Sequence, residues 1–237
     1  MKLIIVGGPA SSGKTSVIIH ALNNPIIDKS KVLVAKLDCL VANDSEVYKK
    51  NKIASITGLS TYICPDHYLS TNIERISKYG IKKRVDYLII ESAGLCNRCS
   101  PYLTDTLGVT ILDVLSGIQS PNKIGPMLKS ADIVVLTHCD MISQAEREVF
   151  RKRISVLNCS AKILEVNGLT GKNSYRLSGE FALAKEFDAS VPQHLKYSMP
   201  GAVCSFCLGE KRVGETFASG NVKLMELPGI KDGVWKK

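Results

Sequence analysis

A ten-residue stretch near the start, Gly7-Gly-Pro-Ala-Ser-Ser-Gly-Lys-Thr-Ser16, limits the folds open to this chain more than any other feature. Gly8 to Thr15 fits G-x-x-x-x-G-K-[ST] at every position. Residues 2–6 before it read as a short apolar strand, and residues 14–22 after it as a helix. A loop in that setting cradles phosphate. Its glycines permit a tight path, its backbone amides and the helix N-terminus face phosphate oxygens, Lys14 reaches the β and γ groups, and Thr15 ligates Mg²⁺. The expected phosphate-binding residues are therefore Gly8, Pro9, Ala10, Ser11, Ser12, Gly13, Lys14, Thr15 and Ser16, with Lys14 catalytic as well.

The rest of the chain alternates in the same manner. Apolar runs rich in Ile, Leu and Val at 32–37, 85–90, 109–114, 133–137 and 163–166 read as buried strands. Polar or amphipathic stretches at 44–53, 71–78 and 143–157 read as helices, the last two opening on Thr71-x-x-Glu74 and Ser143-x-x-Glu146 capping boxes. Alternating strands and helices imply an α/β fold, a mainly parallel sheet with helices on both faces. Ligands of such sheets bind beyond the carboxyl ends of the strands. After about Phe187 the pattern gives way to scattered Pro and Gly with a Cys204-x-x-Cys207 pair. Residues 1–187 are thus expected to form the nucleotide-binding domain and 188–237 a small Cys-containing C-terminal extension.

Two strand ends offer further oxygen ligands. Asp38 closes Val-Leu-Val-Ala-Lys-Leu-Asp and Glu91 closes Val-Asp-Tyr-Leu-Ile-Ile-Glu. Both are candidate catalytic residues, as Mg²⁺ ligand (Asp38 with Thr15), anchor, or orienter of the attacking water; the plainer alternative is a pair of solvated strand-end carboxylates. Thr137-His138-Cys139-Asp140 follows a late strand where a guanine reader of the form [NT]-K-x-D belongs. An Asp there accepts two hydrogen bonds from the guanine edge that adenine does not offer, so Asp140 argues for GTP, while His138 in place of lysine keeps ATP as the alternative. Asn167-Gly168-Leu169-Thr170-Gly171, after the next strand, has the composition of a loop that completes a base pocket.

Composition narrows the function classes. The opening apolar run is too short for a signal peptide, and no later run is long enough to span a bilayer, so a cytoplasmic protein without a membrane partner is expected. Eight cysteines in such a compartment point to metal or redox chemistry rather than to disulfides. The net charge of +9 is spread in pairs such as Lys49-Lys50 and Lys82-Lys83 among acidic residues, without a recognition motif, so no specific nucleic-acid partner is expected. Cys96-Asn-Arg-Cys99 lies directly after Glu91-Ser-Ala-Gly94, where a thiolate pair would feel the state of the nucleotide. Cys204 and Cys207 resemble half of a zinc or iron–sulfur site, to be completed by Cys96 and Cys99 or by the same pair in a second subunit; the plainer alternative is a structural zinc that holds the tail. Cys39, Cys139 and Cys159 read as small apolar fillers near strand ends.

These segments, in this order, resemble those of the hydrogenase-maturation and urease-accessory nickel GTPases, a branch of the SIMIBI class of P-loop proteins. The likeness rests on the phosphate loop, Asp44-Ser45-Glu46, Cys64-Pro65-Asp66-His67, Glu91-Ser92-Ala93-Gly94, the Thr-His-Cys-Asp segment and the Asn-Gly-Leu-Thr-Gly loop, over about the first four fifths of the chain. It implies that Cys64 and His67 ligate a transition metal, with Cys99 as the counterpart of a further family cysteine and Cys96 an additional thiol. It also implies a homodimer closed around nucleotide and metal. The expected function is a GTP-hydrolysing metallochaperone. It would use GTP and Mg²⁺, carry Ni²⁺, Zn²⁺ or iron, and serve a client metalloenzyme or its maturation factor. The alternative is an ATP- or GTP-dependent iron–sulfur protein with a cluster bridged by CxxC pairs.

Overall fold

The computed structural model describes residues 1–41, 44–93, 101–197 and 210–229. Its centre is a seven-stranded sheet of β1 (Lys2–Gly7), β2 (Val32–Asp38), β3 (Ala54–Leu59), β4 (Tyr87–Ser92), β5 (Leu107–Asp113), β6 (Ile133–Thr137) and β7 (Lys162–Glu165). The strands lie in the order β3-β2-β4-β1-β5-β6-β7. Every pair is parallel. Alternate residues of each strand point to opposite faces. In β1, Leu3 and Ile5 join one apolar cluster and Ile4 and Val6 the other, so the strand is buried on both sides. That double burial explains why the central strands read as continuous apolar runs.

Helices α1 (Lys14–Leu22), α2 (Asp44–Lys50) and α7 (Ser174–Leu183) cover one face, supplying Val17, Ile18, Leu22, Tyr48, Leu177 and Phe181 to its core. The other face is covered by α3 (Pro65–Lys82), α5 (Gly125–Ser130), which follows the single-turn α4 (Ser120–Lys123), and α6 (Gln144–Leu157); Leu69, Ile73, Leu128, Phe150 and Ile154 fill it. The capping box of α6 forms as the sequence implies: Ser143 and Glu146 each bond the other's backbone amide. Strand order reverses at β1, which places the phosphate loop at the switch point of the sheet.

Three local expectations need correction. The helix expected over 71–78 begins at Pro65, and Thr71 is not its cap: Thr71 Oγ1 donates back to His67 O at 2.9 Å, the bond a threonine makes inside a helix. Proline at the first helical position, where an amide has no acceptor, explains the earlier start. The helix expected to run to residue 53 stops at Lys50, and an edge strand, β3, follows that apolar-run reading missed. Its residues Ser55, Thr57 and Gly58 dilute the pattern because only part of this strand is covered. Cys159 is exposed rather than a filler, whereas Cys139 is buried.

The described C-terminal residues lie against α3. Asn72 Nδ2 donates to Lys223 O at 2.9 Å, Met225 N donates to Asn72 Oδ1 at 2.7 Å, and Arg75 Nε donates to Met225 O at 2.8 Å. Met225 and Leu227 enter the core on that face. Gly58 provides part of the room, since a Cβ there would meet Met225 Sδ at 3.0 Å.

Candidate functional site

A cleft of about 380 Å³ opens at the carboxyl end of β1, lined by Ala10 to Ser16 together with Lys36, Asp38, Glu91 and Ala93. The loop conformation is one that its glycines permit: Gly8 has φ 142° and Gly13 φ 86°, and a Cβ at Gly8 would stand 2.2 Å from Ile111 O. Lys14 Nζ donates to Gly8 O at 3.1 Å and to Pro9 O at 2.7 Å, so the loop's own carbonyls hold the ammonium. Thr137, at the end of β6, fastens the loop from the far side by donating from Oγ1 to Ser12 O at 3.0 Å.

Glu91 is wholly buried at the end of β4 and gathers three donors. Its Oε1 accepts from Thr15 Oγ1 at 2.8 Å and from Lys36 Nζ at 2.7 Å, and its Oε2 accepts from Tyr48 OH at 2.6 Å. Asp38 stands close by, its Oδ2 3.8 Å from Lys36 Nζ and its Oδ1 accepting from Cys39 N at 2.8 Å. Of the two candidate carboxylates, Glu91 is the one bonded to the phosphate-loop hydroxyl. Lys36 and Tyr48 were missed from sequence, although a lone lysine in the apolar run Val-Leu-Val-Ala-Lys-Leu was a visible signal. Thr15, Glu91 and Asp38 line one cleft with a hydroxyl and two carboxylates, hard oxygens of the kind Mg²⁺ takes, so this donor set fits Mg²⁺.

On the other side of the strand end, Ser92 Oγ donates to Asp66 Oδ1 at 2.9 Å. Asp66 is buried in the first turn of α3, and its Oδ2 has no hydrogen-bond partner among the described residues. Burial raises its carboxyl to about 6, against the Ser92 bond and the Lys14 charge, which both favour the ionised form. Cys64 is the N-cap of α3 and His67 lies in its first turn. Burial lowers the His67 imidazole below its ordinary value, favouring the neutral form that ligates metals. Among the described residues no three His, Cys, Asp or Glu side chains gather as a metal site. Cys96, Cys99, Cys204 and Cys207 lie outside the described residues.

The base-recognition candidates sit at the ends of β6 and β7. His138 adopts a left-handed backbone, φ 58°, and its Nδ1 lies 2.9 Å from Asp113 Oδ1. Asp140 follows in a short 3₁₀ turn with its side chain exposed. Asn167 Oδ1 accepts from Leu169 N and Thr170 N, both at 2.9 Å, which rounds the loop. That loop abuts the start of α1, since a Cβ at Gly168 would meet Ser16 Cβ at 3.7 Å. The side chain of Leu169 stands exposed.

Residues 2–165 match the family model for the CobW/HypB/UreG nucleotide-binding domain. An uncharacterized protein of Methanocaldococcus jannaschii is 42% identical over 226 residues, covering 95% of this chain and 97% of its own length. The crystal structure of HypB from Helicobacter pylori in complex with nickel is similar with a TM-score of 0.62 at 18% identity, covering 76% of this chain and 85% of that one. The hydrogenase maturation factor HypB of Archaeoglobus fulgidus is similar with a TM-score of 0.59 at 20% identity, covering 76% and 88%. No described helix is long and apolar enough to cross a membrane.

Proposed function

The chain belongs to the CobW/HypB/UreG nucleotide-binding family, and from that premise we propose that it is a GTP-hydrolysing metallochaperone whose transition-metal segment is coupled to the nucleotide site. One observation carries the coupling. The bond from Ser92 to Asp66 joins the residue after Glu91 to the segment between Cys64 and His67. A shift of the β4 end would therefore move the first turn of α3. The cargo is Ni²⁺, Zn²⁺ or iron, held by Cys64 and His67 and completed by Cys96 and Cys99, with Cys204 and Cys207 from the extension as further thiols. The acceptor is a client metalloenzyme or its maturation factor, and the working unit is a homodimer. We take residues 1–187 as the nucleotide-binding unit, 188–237 as its extension, and the cytoplasm as the site of action.

In this reading the loop amides and Lys14 orient the phosphates, while Thr15 and Asp38 hold Mg²⁺ with Glu91 anchoring it. Mg²⁺, when bound, neutralises charge on the phosphate oxygens. In this reading Asp38 or Glu91 orients the attacking water. Thr137 keeps the loop registered against the base-binding end of β6, His138 packs along the base from its anchor on Asp113, and Asp140 accepts from the guanine edge, with the 167–169 loop closing the pocket. Phosphoryl transfer of this kind rests on positioning and electrostatics, so a slow basal rate is expected until a partner completes the site. Titration of fluorescent GTP and ATP analogues tests the base assignment. Asp140→Asn is expected to weaken GTP binding at least about tenfold and leave ATP unchanged, because it removes an acceptor for the guanine edge. Equal affinity of the wild type for both nucleotides would point to the alternative, a cluster-carrying protein driven by either one.

A further inference from the structure

The ion pair between Lys36 and Glu91 is buried at both ends, the two side chains being 4% and 0% exposed. The parallel register of β2 and β4 sets Lys36 beside Glu91, so the strands themselves bring the charges together. Taking two charges out of water costs several kcal/mol, and a matched apolar pair generally serves a core equally well. Stability alone is therefore a weak reason for a lysine here. Its position is more informative than its burial. Lys36 Nζ lies 2.7 Å from the same Glu91 Oε1 that accepts from Thr15 and 3.8 Å from Asp38 Oδ2, inside the lining of the phosphate cleft. The ammonium thus stands among the oxygens that the proposed function gives to Mg²⁺.

We infer that Lys36 is a built-in cation that competes with Mg²⁺ for Glu91 and Asp38. A divalent ion held by Thr15 and Asp38 and anchored by Glu91 would stand within several ångströms of the ammonium, which is 3.8 Å from Asp38 Oδ2 and 2.7 Å from Glu91 Oε1, and the two repel strongly in a partly buried site. Mg²⁺ binding at these carboxylates then requires Lys36 to turn away. Nucleotide phosphates supply both further ligands for the metal and an anionic partner for the displaced lysine. Mg²⁺ consequently enters with the nucleotide rather than ahead of it, and the free protein is protected from binding divalent cations at this place.

The inference rests on the reading of Thr15, Asp38 and Glu91 as the Mg²⁺ site, and Mn²⁺ titration followed by electron paramagnetic resonance tests the two separately. With GDP present, wild type should bind Mn²⁺ and Glu91→Gln should bind it at least about tenfold more weakly; no difference would remove the Mg²⁺ reading itself. Without nucleotide, Lys36→Met should bind Mn²⁺ at least about tenfold more tightly than wild type, because a like charge has left the site. Lys36→Arg should stay within about threefold of wild type, and Lys36→Met/Glu91→Gln should lose the gain. If folded Lys36→Met binds Mn²⁺ no better than wild type, or if the double variant keeps the gain, Lys36 is not the competitor. Should Lys36→Met fold poorly, thermal melts give the same answer: Mn²⁺ must raise its Tm more than that of the wild type, and an equal rise overturns the inference.

Discussion

Glu91 has no exposure to solvent, and its two oxygens are divided among Thr15, Lys36 and Tyr48, so replacing it by an isosteric amide isolates the contribution of its charge. Glu91→Gln preserves volume but takes the counter-charge from the buried Lys36 ammonium, so it should lower unfolding free energy by about 3–5 kcal/mol, while in the protein that remains folded single-turnover phosphate release with GTP and Mg²⁺ falls about a hundredfold or more, the scale expected when a charge that organises the transition state is lost. A rate within threefold of wild type would remove Glu91 from the machinery. Asp66 supports a prediction of a different kind. Its carboxyl is raised to about 6 by burial from an ordinary 3.8, so the folded protein holds this proton more tightly than the unfolded chain does. The sign follows from linkage: no cost arises below about pH 4, a cost accumulates as pH rises to about 6, and it is complete above that. Asp66→Asn has no such titration and its amide oxygen still accepts from Ser92. Urea denaturation should show the variant gaining on wild type by about 2–3 kcal/mol between pH 4 and pH 7, and a constant difference over that range contradicts the assignment.

At the scale of elements, α6 owes its start to the Ser143 and Glu146 exchange. Ser143→Ala should lower unfolding free energy by about 1 kcal/mol in chemical denaturation without altering nucleotide affinity, since the cap lies on the surface. The same helix shows how much was legible in advance. Capping residues, glycines at forced backbone angles and runs buried on both faces are local signals, and they located β1, α1, β2, β6 and α6 closely. The start of α3 was misread because Thr71 and Glu74 copy a capping box inside a helix that Pro65 had already begun. The edge strand β3 was missed because a half-covered strand does not need a continuous apolar run. In the site, the phosphate loop and Glu91 were visible from spacing alone. Lys36 stood out only as a charge inside an apolar run, its partner being set by register, and Tyr48, Ser92 and Asp113 gave no signal, because their roles depend on which helix packs against which strand end and that is not encoded in a local pattern.

Across the whole molecule, one wall of β4 faces the phosphate cleft through Glu91 and the next residue, Ser92, reaches the start of α3. The described C-terminal residues hold the same helix through Asn72 and Arg75. Phosphate cleft, proposed metal segment and described C-terminal residues therefore meet on α3, which is the physical basis for expecting one to sense another. The most direct measurement is the nickel, zinc, iron and acid-labile sulfide content of anaerobically purified protein with no nucleotide, with GDP and Mg²⁺, and with a non-hydrolysable GTP analogue and Mg²⁺, beside the Cys96→Ser/Cys99→Ser variant. The account predicts a transition-metal ion whose occupancy changes with the nucleotide, falls in the variant and comes without sulfide. Metal content indifferent to both nucleotide and variant, or iron with matching sulfide, would contradict it.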